Sequence, residues 1–234
     1  TFSGLSIDKS GASYQLHATD GVLTAGDSSA FTVTVGPATK LVFTQQPAGA
    51  TGGGAFSTQP KITVQDAGGN TVTTDSSTVT LTIGTNPSSG TLSGCSQSET
   101  SGVITFSGCK IDKAGNGYTL HATDGTLTAT DSSSFNVTVG AAAQLAYTSD
   151  TSSVASGSTK TLTAAVQDAG GNTLTSDNST VVVYSQTAGA GSLTGLGTAT
   201  ASAGIASLTV TGNLAGSVTI QAAKQGGGLT TTTS

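Results

Sequence analysis

KITVQDAGGNTVTTDSSTVTLTI occupies residues 61–83, and its octapeptide VQDAGGNT returns unchanged at residues 166–173. Apolar residues alternate with Thr on both sides of DAGGN, which is the period of β-strands that have one buried and one solvated face. Asp, Gly and Asn supply the positive φ and the side-chain caps of a tight turn. The stretch therefore predicts strands joined by a turn, and its repetition predicts a modular protein.

The repetition extends over most of the chain. Residues 1–36 align without gaps on residues 105–140, and LVFT at 41–44 matches LAYT at 145–148. The unit is therefore about 100 residues long, which is the size of a small domain and too long for a solenoid repeat. We expect three units: the C-terminal half of one at 1–38, a complete one at 39–140, and one without its last strand at 141–234.

The complete unit, 39–140, carries about seven short alternating segments separated by turn signals, the pattern of an immunoglobulin-like two-sheet sandwich. Richness in Thr, Val and Gly, with little Ala-Glu-Lys-Leu patterning, predicts an all-β fold. The junctions at 35–43 and 139–147 are short, and Pro37 stiffens the first by fixing φ. We therefore expect tandem immunoglobulin-like β-sandwich domains arranged as a rod.

Three stretches of the middle unit, DAGGNTV, GVITF and AGNGYTLHAT, resemble bacterial immunoglobulin-like repeats of the invasin and intimin type. The resemblance covers all three units. It implies a cell-surface or secreted stalk or adhesin.

Composition argues against several classes of function. Only 8% of the 234 residues are charged, the net charge is −5, and all seven basic residues are Lys. Nucleic acids and anionic membrane surfaces attract clustered positive charge, so neither is an expected partner. No apolar run approaches the roughly 20 residues that span a bilayer. Glu99 is the only Glu and no Ser-His-Asp set is arguable, so we predict no catalytic site and no cofactor.

The two cysteines, Cys95 and Cys109, flank a predicted hairpin. The aligned positions of the third unit lie near Leu196 and at Thr211, so both cysteines are absent there together. Joint loss favours a disulfide, with two buried free thiols as the alternative. A disulfide implies an oxidising, extracellular compartment.

Four oxygen-bearing residues are candidate calcium ligands: Asp66 with Asn70, and Asp168 with Asn172. The alternative is a turn capped by the Asp side chain, which needs no metal. That alternative is favoured, and no metal site is predicted. His17 and His121 lie at alternate positions from the apolar residues of their strands, on the side that faces solvent. Gln221 occupies the equivalent place in the third unit, so we interpret the two histidines as surface residues.

These observations lead to two functional hypotheses. The first is a non-catalytic stalk or filament of an extracellular adhesin, whose partners are neighbouring immunoglobulin-like domains and possible glycans or a cell-surface receptor. The alternative is a carbohydrate- or partner-binding module of a secreted enzyme. We expect the sequence to be an excerpt of a longer chain. Strand complementation between neighbouring chains is the alternative.

Overall fold

The computed structural model describes residues 1–233, and within that range it contains strands and turns without a helix. The all-β prediction is confirmed. No helix in the described range is long and apolar enough to cross a membrane. The first 38 residues contain four short strands: β1 (Gly11–Tyr14), β2 (His17–Ala18), β3 (Gly26–Asp27) and β4 (Phe31–Val33).

The middle part of the chain contains twelve strands. They are β5 (Lys40–Gln45), β6 (Ala50–Thr51), β7 (Lys61–Gln65), β8 (Thr80–Ile83), β9 (Leu92–Ser93), β10 (Ser96–Thr100), β11 (Val103–Ser107), β12 (Lys110–Ile111), β13 (Gly115–Tyr118), β14 (Leu120–Thr123), β15 (Thr130–Asp131) and β16 (Phe135–Thr138).

The last part contains eight strands, several of them longer. They are β17 (Gln144–Tyr147), β18 (Thr159–Gln167), β19 (Val181–Ala188), β20 (Ser192–Thr194), β21 (Thr198–Thr200), β22 (Ile205–Leu214), β23 (Thr219–Lys224) and β24 (Thr232–Thr233).

The middle strands form a sandwich around one core. A four-stranded sheet runs in the order β10-β11-β7-β5, and the opposing strands form the sheets β15-β14-β8 and β13-β16-β6. Ile62 and Ile104 from the first sheet, and Leu120 and Val137 from the opposing strands, belong to one buried apolar cluster. The burial of two facing sheets in one cluster is the organisation of an immunoglobulin-like sandwich.

The last strands build a second sandwich with its own core. Its sheets run β17-β18-β22-β20 and β21-β19-β23-β24. Their facing side chains form a separate buried cluster that includes Leu145, Val166, Tyr184, Val210 and Ile220. The Tyr184 hydroxyl donates to the Ala206 carbonyl at 2.7 Å, so its polar end is satisfied inside the core.

Residues 1–38 add no buried residue to either core. Their strands pair only as β1 with β4 and β2 with β3. Eight of the ten exposed large apolar side chains of the described chain lie in this segment. Several of their counterparts in the middle part are buried: Phe2 is 80% exposed, whereas Phe106 at the aligned position is 3% exposed. The division into units at residues 38 and 140 stays a prediction.

Cys95 and Cys109 form a disulfide, 14 residues apart in the chain. The bond lies at the open end of the β10–β11 hairpin, because Cys95 precedes β10 and Cys109 follows β11. Cys109 is fully buried and belongs to the middle core cluster. The predicted pairing is confirmed.

Candidate functional site at the junction between repeats

The loop at residues 66–70, DAGGN, closes on itself. The Asp66 and Gly69 amides donate to the Asn70 and Asp66 carbonyls at 3.0 and 3.1 Å. One carboxylate oxygen of Asp66, Oδ1, accepts hydrogen bonds from the Asn70 backbone amide at 2.8 Å and from Asn70 Nδ2 at 3.0 Å. Gly69 takes a φ of 77°, which a side chain would strain. The loop is thus a turn held by its own hydrogen bonds.

The same two polar side chains also bind the preceding repeat. The Gly36 amide donates to Asp66 Oδ2 at 2.9 Å. Asn70 Nδ2 donates to the Asp8 carbonyl at 2.7 Å, and Asn70 Oδ1 accepts the Ser10 amide at 2.9 Å. The Asn70 amide group is therefore used on both its donor and its acceptor side. We call this set of contacts the junction clamp.

A second clamp with the same contacts lies about a hundred residues later. Gly140 donates its amide to Asp168 Oδ2 at 2.8 Å, and Asn172 Nδ2 donates to the Asp112 carbonyl at 2.7 Å. The Ala114 amide donates to Asn172 Oδ1 at 3.0 Å. The three distances agree with those of the first clamp to within 0.1 Å. The repeated sequence thus produces a repeated contact between neighbouring repeats.

A lysine strengthens each clamp from the side of the preceding repeat. Lys9 Nζ and Lys113 Nζ each donate to the carbonyl of the first loop glycine, at 2.8 and 2.9 Å. The lysine backbones are held in turn, because the Tyr14 and Tyr118 hydroxyls donate to their carbonyls at 3.0 and 2.9 Å. The DKSG and DKAG stretches of the sequence are therefore the receiving surface of the loop.

The first glycine of each loop lies against this surface without room for a side chain. A Cβ added at Gly68 would lie 2.1 Å from the Asp8 carbonyl oxygen, and one at Gly170 would lie 1.9 Å from the Asp112 carbonyl oxygen. Both obstacles are backbone atoms, which cannot rotate away. Glycine is therefore required here for close approach of two repeats.

The clamp carboxylates are buried but fully hydrogen-bonded. Asp66 is 4% exposed and Asp168 is 0% exposed. Hydrogen bonds lower the pKa of Asp66 to about 2; the largest contribution comes from the Asn70 side chain, followed by the backbone amides of Asn70 and Gly36. Donors aimed at the charged form of a carboxylate stabilise it as an anion. Asp66 therefore stays ionised at neutral pH inside the junction.

The four candidate calcium ligands are all clamp residues. In both pairs the carboxylate oxygens accept N–H hydrogen bonds, as expected for the capped-turn alternative. Within residues 1–233 no group of three or more His, Cys, Asp or Glu side chains is arranged to hold a metal ion. That these residues form no calcium site stays a prediction.

The two histidines lie at the surface, away from the clamps. Nδ1 of His17 lies 2.6 Å from Asp27 Oδ1, and Nδ1 of His121 lies 2.6 Å from Asp131 Oδ1. Each aspartate faces its histidine across an antiparallel strand pair. The sequence interpretation did not include these partners, although residues that face each other across an antiparallel pair have their side chains close enough to interact.

The receiving side of the clamp was not predicted from the sequence. Apart from the Lys9 and Lys113 side chains, its groups are backbone carbonyls, which every residue type supplies, and backbone amides, which every residue type but proline supplies. One sequence pattern could have indicated this surface: IDKSG at 7–11 aligns with IDKAG at 111–115, so it recurs together with the DAGGN loop.

No family model and no curated protein matches the chain. Among solved structures it is similar to the Yersinia pseudotuberculosis adhesin InvE, with 18% identity, a TM-score of 0.35, and coverage of 82% of this chain and 57% of that one. It is also similar to the Escherichia coli adhesin FdeC, with 17% identity, a TM-score of 0.40, and coverage of 92% and 69%. At these TM-scores the likeness carries no argument about function, and the chain spans 57% of the InvE chain.

Proposed function

We propose that this chain is a non-catalytic segment of an extracellular bacterial adhesin, in which tandem sandwiches stand in line as a stiff stalk. The units would be residues 1–38, 39–140 and 141–234. The observation that carries the proposal is the recurrence of the junction clamp with the same contacts at both junctions. A repeated contact that fixes each unit against the one before it favours a regular, extended arrangement over a flexible string.

Two further properties support an extracellular structural role. The disulfide is of the kind that persists in oxidising compartments. The surface carries little charge, since only 8% of the residues are charged, and is rich in Thr and Ser hydroxyls. Such a surface suits a spacer that projects a binding end away from a cell.

Distances between spin labels on successive units test the stalk. Thr82 and Ser185 are both exposed. They occupy equivalent positions, because Thr82 pairs with His121 on the neighbouring strand of its sheet and Ser185 pairs with Gln221, the residue that aligns with His121. Cysteines introduced at both positions and labelled should give one narrow distance distribution in electron paramagnetic resonance. A broad distribution in the otherwise unchanged chain would contradict a stiff stalk.

The same measurement has a matched control variant. Gly170→Ala, which obstructs the clamp between the labelled units, should broaden the distribution, whereas Gly197→Ala should leave it narrow because a Cβ there meets no atom within 4 Å. Binding of the full chain on a glycan array would instead favour the carbohydrate-binding module.

A further inference from the structure

The disulfide of the middle sandwich lies between two separate pairs of strands. On one side of it β10 pairs with β11, and on the other side β9 pairs with β12 in a two-stranded sheet of its own. Between the two pairs each strand contributes one glycine and one cysteine, Gly94–Cys95 and Gly108–Cys109. The disulfide is therefore the covalent link between the strands where their hydrogen-bonded pairing is interrupted.

Strand β12 leads directly into the receiving surface of the second junction clamp. Asp112 follows the last residue of β12, and its carbonyl accepts the hydrogen bond from the next repeat at 2.7 Å. Lys113 and Ala114 come next, and they donate the other two bonds at 2.9 and 3.0 Å. The segment 110–111, which is β12 itself, is all that separates Cys109 from this surface.

The partner strand holds the same aspartate from the other side. The Thr91 amide donates to Asp112 Oδ1 at 2.6 Å, and the Asp112 amide donates to the Thr91 carbonyl at 3.4 Å. Thr91 directly precedes β9, and Cys95 follows β9 after one glycine. Asp112 is thus held by both of the strands that the disulfide joins.

The two ends of the disulfide are anchored unequally. The Cys109 amide donates to Gln59 Oε1 at 2.9 Å, and the Cys109 carbonyl accepts Gln59 Nε2 at 3.2 Å and the Phe56 amide at 2.9 Å. Cys95 is exposed, and within the described residues β9 has β12 as its sheet neighbour and no other. The disulfide therefore ties the less anchored strand, β9, to the more anchored one.

The first clamp has no cysteine on its receiving side. Leu5 aligns with Cys109, and Asp8 aligns with Asp112 and makes the same contact, also at 2.7 Å. The clamp geometry itself therefore does not require a disulfide. The first clamp can serve as a control for the second within one molecule.

We propose that the Cys95–Cys109 disulfide is a redox-sensitive brace of the second junction, which holds Asp112 in position for the clamp. Reduction frees β9, weakens the contact of Thr91 with Asp112 and loosens the second clamp, while the first clamp stays closed. The proposal rests on the proposed function, because a looser clamp changes the behaviour of the chain only if the clamps stiffen a stalk.

The reductant is a small dithiol. Cys95 is exposed and Cys109 is fully buried, so a thiolate of the dithiol attacks the Cys95 sulfur. The protein S–S bond breaks, and the Cys109 sulfur leaves as a thiolate and takes up a proton. The second thiolate of the dithiol then attacks its own sulfur in the mixed disulfide and releases Cys95, which also takes up a proton. Two electrons pass to the protein, and the dithiol becomes a cyclic disulfide.

Hydrogen exchange of single amides, measured by NMR on the 234-residue chain before and after treatment with dithiothreitol, tests the brace. The Ala114 amide is bonded to the next repeat, and its exchange should accelerate roughly tenfold on reduction, as expected for the loss of about one hydrogen bond. The Ser10 amide, bonded in the same way in the first clamp, should keep its rate. The Leu120 amide, bonded inside the middle core, should also keep its rate.

A variant separates the loss of the bond from the action of the reductant. Cys95→Ala removes the disulfide and leaves the buried Cys109 sulfur in the core. Without dithiothreitol its Ala114 amide should already exchange at the rate of the reduced chain, and the reagent should cause no further change.

Three results would overturn the proposal. The first is a disulfide that stays intact under dithiothreitol in the folded chain, as read by alkylation and mass spectrometry. The second is an Ala114 rate that responds neither to reduction nor to Cys95→Ala. The third is equal acceleration at Ala114, Ser10 and Leu120, which would indicate general destabilisation. Failure of the stalk itself would appear differently, as a broad spin-label distribution in the oxidised chain.

Discussion

Replacing Gly170 with Ala should open the second junction clamp without unfolding either sandwich. The new Cβ would lie 1.9 Å from the Asp112 carbonyl oxygen and 2.8 Å from its carbonyl carbon, so the loop must withdraw from the preceding repeat. Gly170 does not take a positive φ, so the loop itself accepts alanine. The perturbation therefore acts on the contact between repeats rather than on the turn.

The magnitude follows from the hydrogen bonds that cross the junction at this point. Asn172 Nδ2 donates to the Asp112 carbonyl, the Ala114 amide donates to Asn172 Oδ1, and Lys113 Nζ donates to the Gly170 carbonyl. Each such bond contributes about 1 kcal/mol net. Their joint loss would cost about 3 kcal/mol, which is a factor on the order of 100 in the equilibrium between closed and open junction.

Hydrogen exchange measured by NMR at single amides reports this opening directly. The Ala114 amide is protected by the Asn172 side chain of the next repeat, and its exchange should accelerate on the order of 100-fold in the variant. The Val166 amide, bonded to Gly204 inside the last sandwich, should keep its rate. Unchanged protection of Ala114, or equal acceleration in Gly197→Ala, would refute the reasoning.

Three further predictions concern charge, covalent structure and burial. The pKa of Asp66 is lowered from 3.8 to about 2. Its contribution to folding stability is therefore complete above pH 4 and is lost as the pH falls towards 2. A titration of this carboxyl by NMR with a midpoint near 4 would contradict this. Replacing Cys95 and Cys109 with Ser should lower the free energy of unfolding by about 3 kcal/mol in urea denaturation, and an unchanged midpoint would count against it. Tyr184→Phe should cost about 1–2 kcal/mol, because the Ala206 carbonyl loses its buried donor; a thermal melt with no shift would exclude this.

The strands and the disulfide could be predicted from the sequence because both depend on local patterns. In β5, Leu41 and Phe43 are buried while Val42 and Thr44 are more open, as a period of two requires. The central strands were less predictable. Thr63 of β7 is 4% exposed, although the alternation of the sequence places it on the polar face of the strand. Its hydroxyl oxygen lies 3.0 Å from that of Thr44. The burial of both faces of β7 and the hydroxyl pair with β5 depend on which strands lie beside it, and alternation alone does not reveal this.

The clamp could not be predicted because half of it is backbone. Asn70 reaches a carbonyl 62 residues earlier in the chain, and residue type gives no sign that Asp8 offers one. The turn interpretation of DAGGN was sufficient for the bonds inside the loop. The bonds to the preceding repeat depend on how stretches far apart in the sequence meet in the structure, which is a tertiary property.

The two glycines of DAGGN separate these two roles. A tight turn needs a residue with positive φ, and Gly69 and Gly171 fill that need with φ of 77° and 78°. The glycine before each of them is not in that region, so the turn alone would accept alanine there, with a gain in stability from reduced freedom of the unfolded chain. What excludes alanine is the carbonyl oxygen of the preceding repeat. The second glycine of each loop therefore serves the turn, and the first serves the junction between repeats.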